Sequence, residues 1–295
     1  MDVSVRLDYA DLGILPVITP AVTQASGPTA GDLHITGSLA APEITGKITI
    51  TNGNIQFLNV RRPLERIELE ILFEGQTFVI NKGEAHMGSG NVVLSGKGGL
   101  VGTSLSNYEA RLVADNLEFD SPMYRGPINM NLALLSGVKQ PLLQGDINIE
   151  RTTIRVPLSM LLESSDGFYL PTLGLDVQVH VGNRVRFYDP VFYDLNPRGE
   201  IRIRRTLQNP ALDGFLEATS SRIWYLNSQF RIINARADFN IFQGLEPTIR
   251  LTAQSRMINT TIDLQAQGLA SNMEFKLTSN PPMSQNEIQT LLLFR

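Results

Sequence analysis

Three histidines, His34, His86 and His180, are the only imidazoles in a chain of 295 residues that has no cysteine. An imidazole acts as a general base or a metal ligand only with a second group in reach. His34 and His180 sit on the polar side of alternating stretches, which reads as solvated surface. His86 falls in Gly83-Glu-Ala-His-Met-Gly-Ser-Gly90, which reads as a turn. Glu118 and Asp120, two residues apart on one strand face, could grip a cation, although paired surface acids on a strand are the plainer reading. Gly96-Lys97-Gly98-Gly99 has the composition of a phosphate loop, but it lacks the full spacing and no helix follows, so it too reads as a turn. HExxH, GxSxG and Walker patterns are absent. Without cysteine there is no disulfide, no thiolate nucleophile and no cysteine-held zinc. The reactive side chains therefore point away from an enzyme, and no cofactor or metal is expected.

One basic concentration stands out: Arg184, Arg186, Arg198, Arg202, Arg204 and Arg205. It reads either as a wet strand face or as a rim whose guanidinium forks meet lipid phosphates. Net charge is −4 and the sequence pI about 5.5. A nucleic-acid partner would require a basic surface, so none is expected.

The elements that would carry these side chains are strands. Pro42-Glu-Ile44-Thr-Gly46-Lys-Ile48-Thr-Ile50-Thr-Asn52-Gly53-Asn-Ile55 alternates apolar and polar residues at period two and runs on to Phe57. Asn52-Gly53 is a strong hairpin signal, because both residues tolerate the positive φ of a type I′ turn. The unit recurs from Pro141, with Leu143, Gly145, Ile147, Ile149 and Ile154. It recurs again from Pro210, with Leu212, Gly214, Leu216, Ala218 and Ile223. In each copy Gly follows Pro by four positions, and apolar residues follow it by two, six, eight and thirteen. Repetition of one supersecondary unit implies a stacked β architecture.

Between the copies, Ile67, Leu69 and Ile71 alternate with Arg66, Glu68 and Glu70, the pattern of a sheet with one wet face. Val177, Val179 and Val181 repeat it, as do Ile262 and Leu264. Roughly 16 to 20 short strands fit the spacing of an extended all-β fold. Pro157–Glu163 could form a short helix. At the end, Ser284-Gln-Asn-Glu287 is a capping box, and Ile288, Leu291 and Leu292 follow at helical spacing with Phe294 adding bulk. Residues 284–294 are expected to form an amphipathic helix, either plugging its own sheet or docking a partner through Ile288, Leu291, Leu292 and Phe294. No apolar run is long enough to span a membrane. Because the chain opens directly in an alternating strand, it reads as part of a longer protein with its targeting segment upstream.

With so few helices, the aliphatic face has two possible fates. The sheet folds into a sandwich and covers itself, or it curves into a trough filled by a ligand. Physical reasoning on the residues leaves the two even.

The repeat, together with Ser279-Asn-Pro281-Pro282-Met283-Ser284-Gln-Asn-Glu287-Ile288-Gln-Thr-Leu291-Leu292-Leu-Phe294, resembles the TamB C-terminal domain family of the AsmA-like superfamily. The resemblance covers most of the chain. It implies a single elongated domain over 1–295, a β-taco: a curled sheet with an aliphatic groove. Its wall would comprise Ile44, Ile48, Ile50, Ile55, Phe57, Ile67, Leu69, Ile71, Leu143, Ile147, Ile149, Ile154, Val177, Val179, Val181, Leu212, Leu216, Ile223, Ile262 and Leu264. It further implies a periplasmic protein, anchored to the inner membrane through a segment outside this sequence, that moves phospholipid acyl chains toward the outer membrane. The alternative is a factor that helps an Omp85-family barrel, TamA or BamA-like, insert outer-membrane proteins.

Overall fold

The computed structural model describes residues 2–38, 41–102, 104–137, 139–155, 172–257 and 259–294. The helix expected at 157–163 lies outside the described residues. The fold is all-β, with a curled sheet and a short C-terminal helix. Where the sequence reads as one repeat-built domain, the contacts gather into two compact units. One comprises Met1–Ile147 with Thr172–Val177, the other Asn148–Pro171 with Gln178–Arg295.

In the first unit, β1 (Val3–Asp11), β3 (Pro28–Gly37), β4 (Pro42–Phe57), β5 (Leu64–Gly75), β6 (Thr77–Met87), β7 (Gly90–Val101), β8 (Ser104–Asp120) and β9 (Tyr124–Leu135) pair antiparallel in that order. A further strand, β2 (Val22–Ser26), pairs with the far end of β4. Directly opposed residues share a face. The register therefore lays Leu7, Gly31, Ile48, Ile71, Ile80, Gly96, Ala110 and Leu134 in one row across eight strands.

Asn52-Gly53 does not close a hairpin. It lies inside β4, where the register with β5 shifts on either side of Gly53. Only Asn52 takes positive φ, at 49°, whereas a type I′ turn needs it at both positions. The pair is a β-bulge, and the Asn52 amide it frees donates to Glu68 Oε1 at 2.9 Å. Arg66 and Asn116, with φ of 52° and 48°, sit at the register breaks of β5 and β8. Bulges bend strands and increase twist, so this series curls the sheet.

The repeat conserves backbone geometry more closely than side chains. Arg151 and Ser220 occupy the place of Asn52 in the later copies and share its positive φ, at 52° and 55°. Each is followed by a small buried residue, Thr152 or Ser221, whose hydroxyl donates to the carbonyl two residues back. The repeat glycines have φ of 126° at Gly46, 136° at Gly145 and 125° at Gly214. A Cβ there would lie 1.9 to 2.3 Å from a carbonyl oxygen of the adjoining strand. Only glycine fits such a backbone.

Gly96–Gly99, expected as a turn, lies within β7. A Cβ at Gly98 would stand 2.6 Å from the Phe78 ring, so this glycine makes room for an aromatic. His86 likewise lies in β6, and the turn follows at Gly88-Ser89.

The other strands are β10 (Leu142–Ile149), β11 (Thr153–Arg155), β12 (Gly174–Val181), β13 (Arg186–Asp189), β14 (Tyr193–Leu195), β15 (Pro197–Thr206), β16 (Asn209–Ala218), β17 (Arg222–Tyr225), β18 (Ser228–Phe239), β19 (Thr248–Met257), β20 (Thr260–Leu269) and β21 (Asn272–Asn280). In the second unit, β13, β14, β17, β18, β19, β20 and β21 pair antiparallel in sequence. Strand β11 runs parallel to β13, while β16 shares β18 with β17 and carries β15 on its other edge. The C-terminal helix spans Gln285–Leu293. Ser284 caps it, accepting from the Glu287 amide while the Glu287 carboxylate accepts from Ser284.

Candidate functional site

Glu118, Asp120, His34 and His180, four of the residues first considered for chemistry, each meet a neighbour. Glu118 accepts from Ser89 Oγ at 2.7 Å and pairs with Arg62 at 2.9 Å. The serine hydroxyl, then Arg62, hold its carboxyl below the usual range. Asp120 pairs with Arg125 at 3.3 Å and Arg61 at 3.8 Å. The two acids thus face guanidinium groups. Among the described residues no group of three or more His, Asp or Glu could hold a metal ion. His34 meets Ser4 at 3.1 Å and Asp2 at 3.5 Å, and His180 meets Glu200 at 3.4 Å. Burial, then Asp189, push the Tyr193 hydroxyl up to about 12, so it keeps its proton at neutral pH.

Within the arginine concentration, Arg186 has a carboxylate partner, Arg205 bonds the Ile241 carbonyl, and two others stand in register with acids. Arg186 forks onto Asp194 at 2.7 and 3.1 Å and lies over the Tyr188 ring. Arg198 stands opposite Glu217, and Arg202 opposite Asp213. Sequence reasoning missed the fullest cluster. Arg236 bonds Asp238 at 2.7 Å and also Glu217, and Arg250 bonds the same Asp238 at 2.8 Å. Its signal was the i, i+2 spacing of Arg236 and Asp238 on one strand face. Arg250 first, then Arg236, lower the Asp238 pKa.

The remaining candidate is the aliphatic face. In the first unit Ile44, Ile48, Ile50, Ile55, Phe57, Ile67, Leu69 and Ile71 are all half-buried, and none is fully buried. A side chain in mid-sheet has strands on both flanks, so partial exposure there means that its face is not sealed. Beyond the bulges the same face is filled: Met87, Ala114 and Leu117 pack with Leu64, Phe119 and Ile128. Phe73 and Phe78 place their rings 6.2 Å apart on the open part. Among the other wall candidates, Leu143, Ile147, Ile154, Val179, Leu212 and Ile223 are half-buried. Ile149, Val177, Val181 and Leu216 are buried.

The second unit differs. Ile232, Ala253, Leu264 and Leu277 oppose one another across four strands. With Phe230 and Ile262 they form a core that the helix covers through Ile288 and Leu292. Ile262, Leu264, Ile288 and Leu292 are 0% exposed. Two positions expected on a groove wall and two expected to dock a partner thus meet inside one core, because the helix turns its aliphatic side onto the sheet. Burying two such side chains contributes up to about 3–6 kcal/mol. Leu291 is half-buried, while Leu293 and Phe294 are exposed, Phe294 at 83%.

Among the described residues no helix is long and apolar enough to cross a membrane. No curated protein matches the chain. The family model described as the TamB C-terminal domain matches residues 84–295.

Proposed function

The chain belongs to the TamB C-terminal domain family of cell-envelope proteins, and from that membership we propose that its first unit holds phospholipid acyl chains on the uncovered aliphatic face and passes them toward the outer membrane. The observation that carries this reading is the row through Ile48, Ile71 and Ile80, aliphatic across neighbouring strands yet only half-buried. An acyl chain of about 15 methylenes faces a barrier on the order of 12 kcal/mol to enter water. A row of isoleucine and leucine lowers that barrier and requires no reactive side chain. In this reading Ile44, Ile48, Ile50, Leu69 and Ile71 line the lipid path, the periplasm is the compartment, and an Omp85-family barrel is the partner. Native mass spectrometry of the intact chain, purified from a diderm host without detergent exchange, tests it. Co-purified phospholipid is the expected result, and a protein that carries no lipid contradicts it.

One observation favours a second reading, in which the protein assists insertion of outer-membrane barrels. Among the described residues β21 pairs with β20 alone. Its other edge, where the Leu277 carbonyl accepts from Gln285 Nε2, has no strand beside it among the described residues, and an incoming strand could add there once that bond is released.

A further inference from the structure

Both units alternate aliphatic and polar residues, but the second closes its aliphatic row with a piece of its own chain. Ile288 and Leu292, four residues apart on the C-terminal helix, lie over Leu264 and Leu277. Among the described residues, the helix's polar ties to the sheet are Ser228 Oγ donating to the Leu292 carbonyl at 3.0 Å and Gln285 Nε2 donating to the Leu277 carbonyl at 2.6 Å. The capping box is internal to the helix and travels with it. Pro281 and Pro282 lack amide protons and end the ladder before the helix begins. The outer side is already wet at Leu293 and Phe294, so what swinging out newly exposes is Ile288, Leu292 and the sealed row beneath them, Ile262, Leu264 and Leu277. Beside the helix opens a cleft of about 740 Å³, lined by Met257, Met283, Leu291 and Phe294 and also by the polar Asn286 and Glu287. That volume is in the range of small-ligand pockets, and methionine walls adapt to irregular chains.

We propose that the C-terminal helix is the resident occupant of a second acyl-chain site. Ile288 and Leu292 fill the space that an acyl chain takes when the helix swings out, and the Met257–Met283 cleft is the way in. To a row of isoleucine and leucine, two aliphatic side chains and a stretch of methylenes are equivalent cargo. The exchange therefore replaces one aliphatic cover of the row by another, which gives the two states a gate requires. This inference rests on the lipid reading of the first unit's face.

The absence of native cysteine makes single thiols clean reporters. Leu264→Cys in the intact chain should react with a maleimide about a hundredfold more slowly than Ile71→Cys, because one is sealed and the other open. Adding Ile288→Asp and Leu292→Asp should speed the Leu264→Cys reaction by at least about tenfold. A short-chain phosphatidylcholine below its micelle concentration should slow it again. The inference is overturned if the thiol stays closed, if it opens without lipid protection, or if the β circular-dichroism signal is lost. Ile71→Cys separates the two readings. Lipid protection there without protection at Leu264→Cys removes only the second site, while no protection at Ile71→Cys removes the lipid reading itself. Hydrogen exchange on the unsubstituted chain supplies an independent check. Amides of Gln285–Leu293 should exchange about tenfold faster than those of β20, and coincident exchange contradicts a gate.

Discussion

Ile71 and Leu264 occupy equivalent places. Each is an aliphatic residue in the middle of a long antiparallel strand, opposed by neighbours across the sheet and preceded in sequence by a carboxylate, Glu70 or Asp263. Yet Ile71 is only half-buried and Leu264 is sealed. The difference lies outside the strands. The second unit has a capped helix to lay over its row, whereas the first leaves the corresponding face uncovered up to the bulges, where Met87, Ala114 and Leu117 close it. Alternation specifies which residues share a face. What covers that face is decided elsewhere in the chain, and the function proposed here depends on a face left uncovered.

The strongest way to break this comparison is to place the same charge in both rows. Leu264→Asp buries an unpaired carboxylate and should cost more than about 4 kcal/mol, unfolding the second unit. Ile71→Asp should cost about 1–2 kcal/mol and leave the β signal intact, while removing bound lipid. Denaturant melts followed by circular dichroism compare the pair, and equal losses would mean that both faces are covered. Next come the two sides of the helix. Leu292→Ala should destabilise by about 2–5 kcal/mol, and Phe294→Ala should stay within about 0.5 kcal/mol. Urea midpoints that move together would place both residues in the core.

The repeat glycines sharpen the comparison by testing what the units share. Gly46→Ala and Gly214→Ala should each lose about 1–3 kcal/mol through forced positive φ, so a loss in one unit only would separate the repeats. The smallest effect concerns charge. Arg250 and Arg236 lower the Asp238 pKa, so its contribution is present above the ordinary carboxylate range and disappears as pH falls through the folded value. Thermal melts should therefore decline more steeply below about pH 4 in the unsubstituted protein than in Asp238→Asn.

Much of the fold was legible in local pattern. The strand of Ile67, Leu69 and Ile71 and the capping box at Ser284 and Glu287 depend on spacing within a few residues, and both stand in the structure. Positions that depend on partners across the sheet were not legible. Asn52-Gly53 has hairpin chemistry, yet the Glu68 carboxylate takes the freed amide and β4 runs on. Gly96–Gly99 looked like a turn because glycine is common in turns, but it lies within β7, where Gly98 leaves room for the Phe78 ring of the preceding strand. Ile262 and Leu264 share the alternation of Ile48 and Ile50. Only the folded position of Ile288 and Leu292, more than twenty residues downstream, sets them apart.

The central claim is that one face of the first unit, and not its apolar content at large, holds lipid. Leu72 and Val79 make the decisive controls, because they are apolar and exposed yet fall one residue out of phase with Ile71 and Ile80. A photo-crosslinking side chain placed in turn at Ile48, Ile71, Ile80, Leu72 and Val79 in living diderm cells reads the face directly. The account predicts phospholipid adducts at Ile48, Ile71 and Ile80 and none at Leu72 or Val79. Adducts at all five positions, or at none, would contradict it.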